Sequence, residues 1–419
     1  MSRLMAIKTS NQTAQNKFYF ISKWLITCCM VGFSVGSICA FFLFSLNWVT
    51  AYRENNSWII YGLPLAGLII ALSYQRWGNP SSKGNNLLIE EYLYPQRRIP
   101  LIMAPLVLFG TLLTHLFGGS AGREGTAVQI GGAISDQLNR WFNFGKTERR
   151  ILISIGITAG FAAVFGTPLA GAVFGLEVLL IGKKRYFGLL PCMLTAYIAH
   201  FSCQLWNIPH THYPIHDSIP AISLSNIGLS LIAGILFGAA ARLFTFTGDF
   251  FSSQFKKIRS PLFRPVIGGI IIVITVVLLK STKYIGLGIP MIQEAFNNPS
   301  DYYDFLIKLL LTTFTLSAGF KGGEVTPLFF IGATLGSALS TVIPLPLGLL
   351  AAMGFVAVFS GATNTPLACI IMGYELFGFQ PVVFIAIACI AAFIFSGKKG
   401  IYVAQKGGIK EKLYRRLNL

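Results

Sequence analysis

The chain has 419 residues, of which 54% are hydrophobic and only 11% carry a charge. Soluble domains carry about 25% charged residues, so this composition, with a mean hydropathy of +0.65, excludes a soluble protein. The net charge of +18 does not indicate nucleic-acid binding, because no basic stretch is interleaved with aromatic residues. Lysine and arginine instead lie in short loops, which is typical of the cytoplasmic side of a membrane protein.

Apolar segments follow one another along almost the whole chain. Residues 1–22 are polar and basic and are predicted to form a cytoplasmic N-terminal segment that is retained, and residues 406–419 form a basic cytoplasmic tail. Long apolar runs lie between them, at 24–48, 58–73, 101–118, 151–182, 227–244, 265–279 and 355–395. A helix needs about 20 apolar residues to cross a bilayer, and these runs are too long and too little alternating for barrel strands. The sequence therefore predicts an all-α polytopic protein of the cell (inner) membrane.

Three motifs occur twice, in the same order. The pairs are GNNLLIE (84–90) and GIPMIQE (288–294), GREGTAVQIGGA (122–133) and GGEVTPLFFIGA (322–333), and GFAAVFGTPLAGAVFGLE (160–177) and GFVAVFSGATNTPLACIIMGYE (354–375). The second copy of the last motif has four additional residues before its Thr-Pro-Leu-Ala. Two such halves predict a transporter or a channel, with a first transmembrane half over 23–245 and a second over 246–405.

A charged pair interrupts the apolar sequence at Arg123 and Glu124. The surrounding motif begins with glycine and continues as an apolar run. This is typical of a helix N-terminus whose backbone an ion approaches closely, because glycine has no side chain to keep the ion away. The first four N–H groups of a helix have no internal partner and, together with the helix dipole, bind anions. A carboxylate at such a place imitates the anion: charged, it occupies the site, and protonated, it leaves. Glu124 is therefore predicted to be a proton-linked gate, and a structural ion pair with Arg123 is the alternative.

Four segments together resemble the CLC family of anion channels and proton-coupled transporters. They are GREGTAVQIGG, GFAAVFGTPLAGAVFGLE, GGEVTPLFFIGATLG and GKKGIY, and the resemblance covers residues 20–405. It implies the CLC fold, with two inverted repeats and broken helices, and a homodimer in which each subunit has its own pore. It also implies that Glu124 is the gating glutamate.

Four departures from the common chloride pattern resemble the fluoride/proton antiporter branch of that family. Thr126 replaces the proline of GREGP, and Val178 takes the place of an internal proton-transferring glutamate. The segment KGNNL at 83–87 stands where chloride members have GSGIP, and GGEVTP at 322–327 replaces G-x-F-x-P.

The resemblance to this branch implies roles for several further residues. Glu324 would be a second titratable group, Thr326 would shape the central pathway, and Tyr402 would line the pore. Fluoride is a small and strong hydrogen-bond acceptor, so we expect hard donors around it. The candidate donors are the side-chain amides of Asn85 and Asn86, the backbone amides of Gly122 and Gly323, and the hydroxyls of Thr326 and Tyr402.

Several of these side chains also have a structural interpretation. Asn85 and Asn86 could cap the helix that follows them. Thr326 could be a helix-start hydroxyl without a ligand, and Glu324 could be a buried structural acid. Tyr402 could belong to an interfacial belt of aromatic residues.

Two further groups of polar residues are predicted to be structural. Glu177 and Glu375 occupy equivalent places in the two copies of the third motif, which favours hydrogen bonding to a neighbouring helix end. The segment 207–220 has no lysine or arginine and is predicted to face the outside. It contains a polar cluster whose spacing does not favour a metal site, formed by His210, His212, His216 and Asp217.

The sequence thus predicts export of fluoride in exchange for protons, with the lipid bilayer and a second copy of the chain as partners. Three alternatives stay open: a chloride/proton antiporter, a passive anion channel of the same fold, and a receptor or scaffold without transport. No catalytic triad, phosphate-binding loop or zinc motif occurs, so no enzymatic activity, metal or cofactor is expected.

Overall fold

The computed structural model describes residues 2–179 and 188–405, with side chains described from residue 19 onward. Helices make up the regular secondary structure of this part of the chain, and its isolated bridge joins Gly122 to Gly323. The all-α prediction is therefore confirmed for these residues. The predicted basic tail, 406–419, lies outside the described residues.

The helices fall into two series that follow the order of the repeated motifs. The first series is α1 (Ser2–Asn55), α2 (Leu63–Trp77), α3 (Asn85–Leu93), α4 (Met103–Leu116), α5 (Glu124–Ser135), α6 (Asn139–Phe142), α7 (Lys146–Phe165), α8 (Pro168–Glu177) and α9 (Leu189–Gln204). The second series is α10 (Leu224–Lys256), α11 (Phe263–Leu279), α12 (Ile289–Glu294), α13 (Asp304–Ala318), α14 (Val325–Leu339), α15 (Leu347–Thr363), α16 (Pro366–Phe377) and α17 (Val382–Phe395).

Few of these helices are long enough to cross a bilayer alone. In the described part of the chain, the stretches that are long and apolar enough are Tyr19–Asn55, Ser57–Trp77 and Leu224–Lys256. Other apolar helices have only 10–17 residues, whereas a crossing needs about 20. Their ends therefore lie inside the protein, where the free N–H and C=O groups need partners. The predicted broken helices are confirmed.

The repeated motifs occupy equivalent places in the two series. Gly84 precedes α3 and Gly288 precedes α12, and the two G-x-E-x-T motifs start α5 and α14. The Thr-Pro pairs of the third motif start α8 and α16. Each half therefore presents the same succession of helix N-termini to the interior.

The predicted boundaries between segments do not coincide with helix ends. Helix α10 runs through residue 245, and helix α1 runs through residue 22. Because α1 and α10 each open a series of equivalent helices, we propose that the division between the halves lies in the connection 205–223.

The four additional residues of the second half extend the C-terminal end of α15 by about one helical turn, counted from the Gly-Phe pair that both copies of the motif share. Helix α7 ends at Phe165 and helix α15 at Thr363, and each is followed by a residue of positive φ, Gly166 at 75° and Asn364 at 61°. A whole extra turn preserves the direction in which the chain leaves the helix. The Thr-Pro helix that follows can therefore start in the same way in both halves.

Glycine permits the close approach of the central helices. Gly131 of α5 lies against Gly156 of α7, and Gly332 of α14 lies against Gly354 of α15. A β-carbon on any of these four residues would overlap the facing backbone carbonyl group. Helices in lipid associate through such close van der Waals packing, because lipid tails are as apolar as the side chains.

Aromatic rings join the two halves in the core. Phe329 stacks on Phe355 with ring centroids 4.0 Å apart, and Phe161 stacks on Phe174 at 4.2 Å. Phe359 contacts both pairs, at 5.2 Å from Phe329 and 5.8 Å from Phe174. Because Phe161 and Phe174 belong to the first half and the other rings to the second, this cluster fixes the halves against each other.

Two glutamates exchange hydrogen bonds between the halves. Glu177 accepts from the N–H of Leu367 (3.2 Å) and of Ala368 (2.8 Å), at the start of α16. Glu375 accepts from the N–H of Leu169 (2.9 Å) and of Ala170 (2.7 Å), at the start of α8. Each carboxylate thus satisfies free N–H groups of the other half and meets the positive end of a helix dipole. The structural interpretation of Glu177 and Glu375 is confirmed.

We expect Glu375→Ala to lower the midpoint of thermal unfolding in detergent. Two N–H groups of α8 would lose their acceptor, and each buried group left unpaired costs about 1–3 kcal/mol. Glu375→Gln keeps one acceptor oxygen and should give an intermediate midpoint. The control is Glu54→Gln, whose side chain is 61% exposed. An unchanged midpoint in Glu375→Ala would show that the carboxylate does not stabilise the helix end.

Candidate functional site

The two G-x-E-x-T motifs cross each other in the centre of the protein. The Gly122 N–H donates to the Gly323 carbonyl at 2.6 Å, and the Gly323 N–H donates to the Gly122 carbonyl at 2.7 Å. Helices α5 and α14 start directly after this antiparallel pair. Both N–H groups are therefore occupied by protein carbonyls. The expectation that these two amides bind the ion is corrected: they hold two helix N-termini together.

The Glu124 carboxylate lies at the N-terminus of the facing helix. One oxygen, Oε2, accepts from the Thr326 N–H at 3.0 Å and from the Arg123 N–H at 3.2 Å. The other, Oε1, accepts from the Thr326 hydroxyl at 2.5 Å. The residue is 1% exposed. A carboxylate of the first half thus occupies the start of α14 in the second half.

The ion pair between Arg123 and Glu124 is also formed. The Arg123 Nε lies 3.5 Å from Glu124 Oε1. It makes no hydrogen bond of good geometry within the described residues. The pair and the helix-end contacts therefore coexist, and the three hydrogen bonds of Glu124 come from groups other than the guanidinium.

The two threonines of the motifs have different surroundings. The Thr326 N–H and hydroxyl both donate to Glu124, so its hydroxyl is not merely a helix-start group. The Thr126 hydroxyl instead bonds to the Thr111 hydroxyl at 2.7 Å, between α5 and α4. Of the two, only Thr326 contacts the Glu124 side chain among the described residues.

Asn85 and Glu324 approach the same point from opposite halves. A β-carbon on Gly125 would lie 3.2 Å from Asn85 Nδ2 and 3.5 Å from Glu324 Oε2. Asn85 Oδ1 and Glu324 Oε2 are both buried acceptors without a hydrogen-bond donor in the described part of the chain. The absence of a side chain on Gly125 leaves room for these two groups beside the start of α5.

Asn86 and Tyr402 belong to one local arrangement. The Asn86 Oδ1 accepts from the Ala404 N–H at 3.0 Å, and the Ile401 N–H donates to the Ala362 carbonyl at 2.8 Å. These contacts carry the segment 401–404 into the interior, where Tyr402 is 5% exposed. Asn86 thus supports this segment through its Oδ1, and its amide N–H₂ group stays a predicted donor to the ion beside that of Asn85. An interfacial position for Tyr402 was the wrong alternative.

The capping alternative for the asparagines is also wrong. Gly84, with φ of 58°, is the N-cap residue of α3, and no side chain caps this helix. The positive φ explains why the position is glycine. Asn85 therefore follows the cap, and its side chain is available for the interior.

The polar cluster of the segment 207–220 serves two separate contacts. The His210 Nε2 donates to the Ala163 carbonyl at 2.9 Å, and the Asp217 carboxylate accepts from the Gly348 N–H at 2.7 Å, at the start of α15. Burial, together with the charge of the nearby Arg123, lowers the pKa of His210 below its usual value. His210 is therefore neutral at neutral pH.

Lys308 of α13 is a buried cation that the sequence analysis missed. It is 0% exposed, and its ammonium donates to the carbonyls of Tyr284 (3.0 Å) and Gly286 (2.7 Å). The Phe330 ring lies 5.2 Å from Nζ. The lone lysine within an apolar run is a signal that could have found it, because intramembrane charges need partners. Its contacts fix the turn that leads into α12.

A second missed group is a buried ionic network around Arg149. Its guanidinium binds both oxygens of Asp136, at 2.7 and 2.8 Å, and contacts Glu91 at 3.1 Å. Asp136 also accepts from the Ile99 N–H at 2.7 Å. The network joins α3, α7 and the end of α5. Its members lie far apart in the sequence among many other charged residues, so no spacing singles them out.

These features define a class: an all-α membrane protein of two repeats, in which broken helices meet around a carboxylate. The profile of the family described as voltage gated chloride channel matches residues 66–397. The chain belongs to this family, the CLC family of channels and transporters, as the motifs predicted.

Three relatives show how close the match is. The chain is 49% identical over 397 residues to the chloride/fluoride channel protein of Pseudomonas syringae pv. tomato, covering 93% of this chain and 87% of the relative. It resembles the crystal structure of a CLC-type fluoride/proton antiporter with a TM-score of 0.89 and 38% identity, covering 93% of this chain and 99% of the other. It is 26% identical over 418 residues to the H(+)/Cl(-) exchange transporter ClcA of Citrobacter koseri, covering 90% and 87%.

We expect Gly323→Ala to disrupt the crossing of the two motifs. A β-carbon on Gly323 would lie 2.6 Å from the Gly125 backbone nitrogen, so the two helix starts would have to separate. Size-exclusion chromatography should show less folded protein, and the anion flux in liposomes should fall. Gly228→Ala in α10 is the matched control, because a β-carbon there meets no atom within 4 Å. A fully active Gly323→Ala protein would contradict the role of this contact.

Proposed function

We propose that the protein is a fluoride/proton antiporter that exports fluoride from the cytoplasm. Two relatives support fluoride as the substrate: one is named as a chloride/fluoride channel protein, and the other is titled a fluoride/proton antiporter. The second also supports exchange with protons over a passive channel. The proposal includes a homodimer in the cell (inner) membrane.

The observation that carries the proposal is the position of the Glu124 carboxylate. Three donors point at it: the N–H and the hydroxyl of Thr326 and the N–H of Arg123. These are hard donors, which suit a small and strongly hydrated anion. A charged Glu124 and a fluoride ion would compete for the same donors. Protonation of Glu124 removes its negative charge and weakens these hydrogen bonds, so the donors become free to bind the ion.

Glu324 and Asn85 fit a second step on the other side of Glu124. Their buried acceptor atoms lie beside Gly125, and both lack a donor within the described residues. A proton on Glu324 would supply a donor to this region. We therefore assign Glu324 as a second proton-binding group, on the cytoplasmic side of Glu124. Asn85 and Tyr402 line the path of the ion.

Exchange with protons gives the export a driving force. An inside-negative potential favours expulsion of an anion by about 2.3 kcal/mol per charge per 100 mV. Entry of a proton in exchange adds the pH gradient. Hydrogen fluoride crosses membranes as a neutral acid and dissociates in the cytoplasm, so a cell in acidic surroundings needs such a route.

Liposomes loaded with fluoride test the proposal. External fluoride and proton movement are recorded together, and the assay is repeated with chloride. Proton uptake against its gradient, driven by fluoride and much slower with chloride, is the expected result. Fluoride flux without linked proton movement would make the protein a channel. Equal movement of chloride would favour the chloride/proton antiporter.

We expect Glu124→Gln to abolish coupling between fluoride and protons. The glutamine is a permanently neutral copy of the protonated side chain, so it cannot alternate between holding and releasing the helix end. The measurement is fluoride-driven proton uptake in liposomes. The matched control is Glu90→Gln, which removes an exposed carboxylate paired with Lys83. Persistent coupled uptake in Glu124→Gln would exclude this residue as the gate.

We expect Thr326→Val to raise the fluoride concentration needed for half-maximal flux by about tenfold or more. The variant removes a hydroxyl donor, and hydrogen bonds to charged groups contribute about 1.5–3 kcal/mol. Thr126→Val is the matched control, because that hydroxyl bonds to Thr111 and occupies the equivalent place in the first motif. Similar effects of the two variants would indicate a loss of packing and not of an ion ligand.

A further inference from the structure

A cavity of about 440 Å³ lies next to Arg123, the residue before Glu124, on the side that carries the segment 207–220. Helix α1, helix α12 and the residues around His210 form its walls. We name it the vestibule and define it by its polar lining residues, Asn47, Arg123, His210, Thr211, His212 and Gln293. The absence of lysine and arginine from 207–220 predicts that this side faces outward.

The polar groups of the vestibule suit an anion and not a cation. No aspartate or glutamate belongs to its lining residues, within the described part of the chain. Arg123 contributes a guanidinium whose side chain is only 11% exposed and whose Nε lacks a hydrogen-bond partner among the described residues. His210 already donates its Nε2 hydrogen to the Ala163 carbonyl. The fixed positive charge of the vestibule is therefore that of Arg123.

Two side-chain amides complete this set of donors. Asn47 is the lone amide in the apolar run of α1, and Gln293 lies in the short helix α12. Both residues line the vestibule and are exposed in the chain, so their amides are accessible to an ion there. A polar side chain on a transmembrane helix faces a cavity or a partner because lipid offers it none.

We propose that the vestibule is a second, outer binding site for a small inorganic anion, held by the Arg123 guanidinium and the amides of Asn47 and Gln293. It is distinct from the place at the start of α14 that the Glu124 carboxylate occupies. That the ion is fluoride leaving the cell rests on the function proposed above. The binding of a small anion as such does not.

The position of Arg123 links this site to the gate. Its Nε lies 3.5 Å from Glu124 Oε1, so a charged Glu124 takes up part of the positive charge. When Glu124 is neutral or has moved, that charge acts on the vestibule alone. An anion that has passed the gate is thus held while Glu124 is neutral and released when the carboxylate returns. A single shared guanidinium keeps the binding weak enough for release.

Bromide, located by anomalous diffraction in crystals of the full chain, tests the proposal. We expect a bromide peak within hydrogen-bond distance of Arg123, Asn47 and Gln293, and we expect added fluoride to displace it. The double variant Asn47→Leu/Gln293→Leu should bind bromide about tenfold more weakly or worse, since it loses two amide hydrogen bonds to the ion. Gln204→Leu, an exposed residue at the end of α9 outside the vestibule, is the matched control and should bind as the wild type does.

Three outcomes would overturn the proposal. They are the absence of a peak in the wild-type vestibule, a peak of equal occupancy in the double variant, and a peak that fluoride does not displace, which would mark an adventitious ion only. Size-exclusion chromatography of the double variant checks that it folds. Displaceable bromide in a protein that moves no fluoride in liposomes would leave the outer site standing and refute only the transport function.

Discussion

The reciprocal hydrogen bonds between Gly122 and Gly323 are the contact on which the centre of the protein depends. They bring the starts of α5 and α14 together, one from each half, with no side chain between them. Helix N-termini carry unpaired N–H groups and partial positive charge. Once two of them meet in a poorly hydrated interior, an anionic partner becomes a requirement. The Glu124 carboxylate meets that requirement from within the chain.

The same chemistry recurs elsewhere in the fold with a different outcome. Glu177, Glu375 and Asp217 also place carboxylates on the N-termini of facing helices. The two glutamates each accept from two backbone N–H groups, and they do so reciprocally between the halves. Glu124 differs because one of its hydrogen bonds comes from a hydroxyl, that of Thr326, and because its ion-pair partner Arg123 lines an open cavity. A helix-end carboxylate with such neighbours can be exchanged for an ion, whereas the others stabilise the fold.

Much of this arrangement could be predicted from the sequence because the chain repeats itself. The three paired motifs located the helix starts, and the position of one carboxylate in each third motif gave the roles of Glu177 and Glu375. Local composition was enough for these features. Glu124 and Thr326 were likewise predicted as functional residues, and the structure brings them into direct contact.

Other features depend on contacts between distant segments and could not be predicted. Whether the Gly122 and Gly323 amides face an ion or each other depends on the register of two segments 200 positions apart. Asn85 and Asn86 look alike in sequence, yet the Asn86 Oδ1 accepts from the Ala404 N–H, whereas the Asn85 Oδ1 is buried without a donor in the described residues. The boundary predicted at 245 falls inside α10, because this helix continues to Lys256 beyond its apolar run. For Lys308 the lone charge in an apolar run is visible in the sequence, but its partners are not, since they are backbone carbonyl groups.

The central claim is that fluoride and the charged Glu124 side chain compete for one set of donors. Proton uptake on fluoride binding tests it most directly, in weakly buffered detergent solution near neutral pH, where fluoride itself takes up few protons. The account predicts that the wild-type protein takes up protons in proportion to the fluoride it binds and that Glu124→Gln binds fluoride without uptake. Fluoride binding to the wild-type protein with no proton uptake would contradict the account.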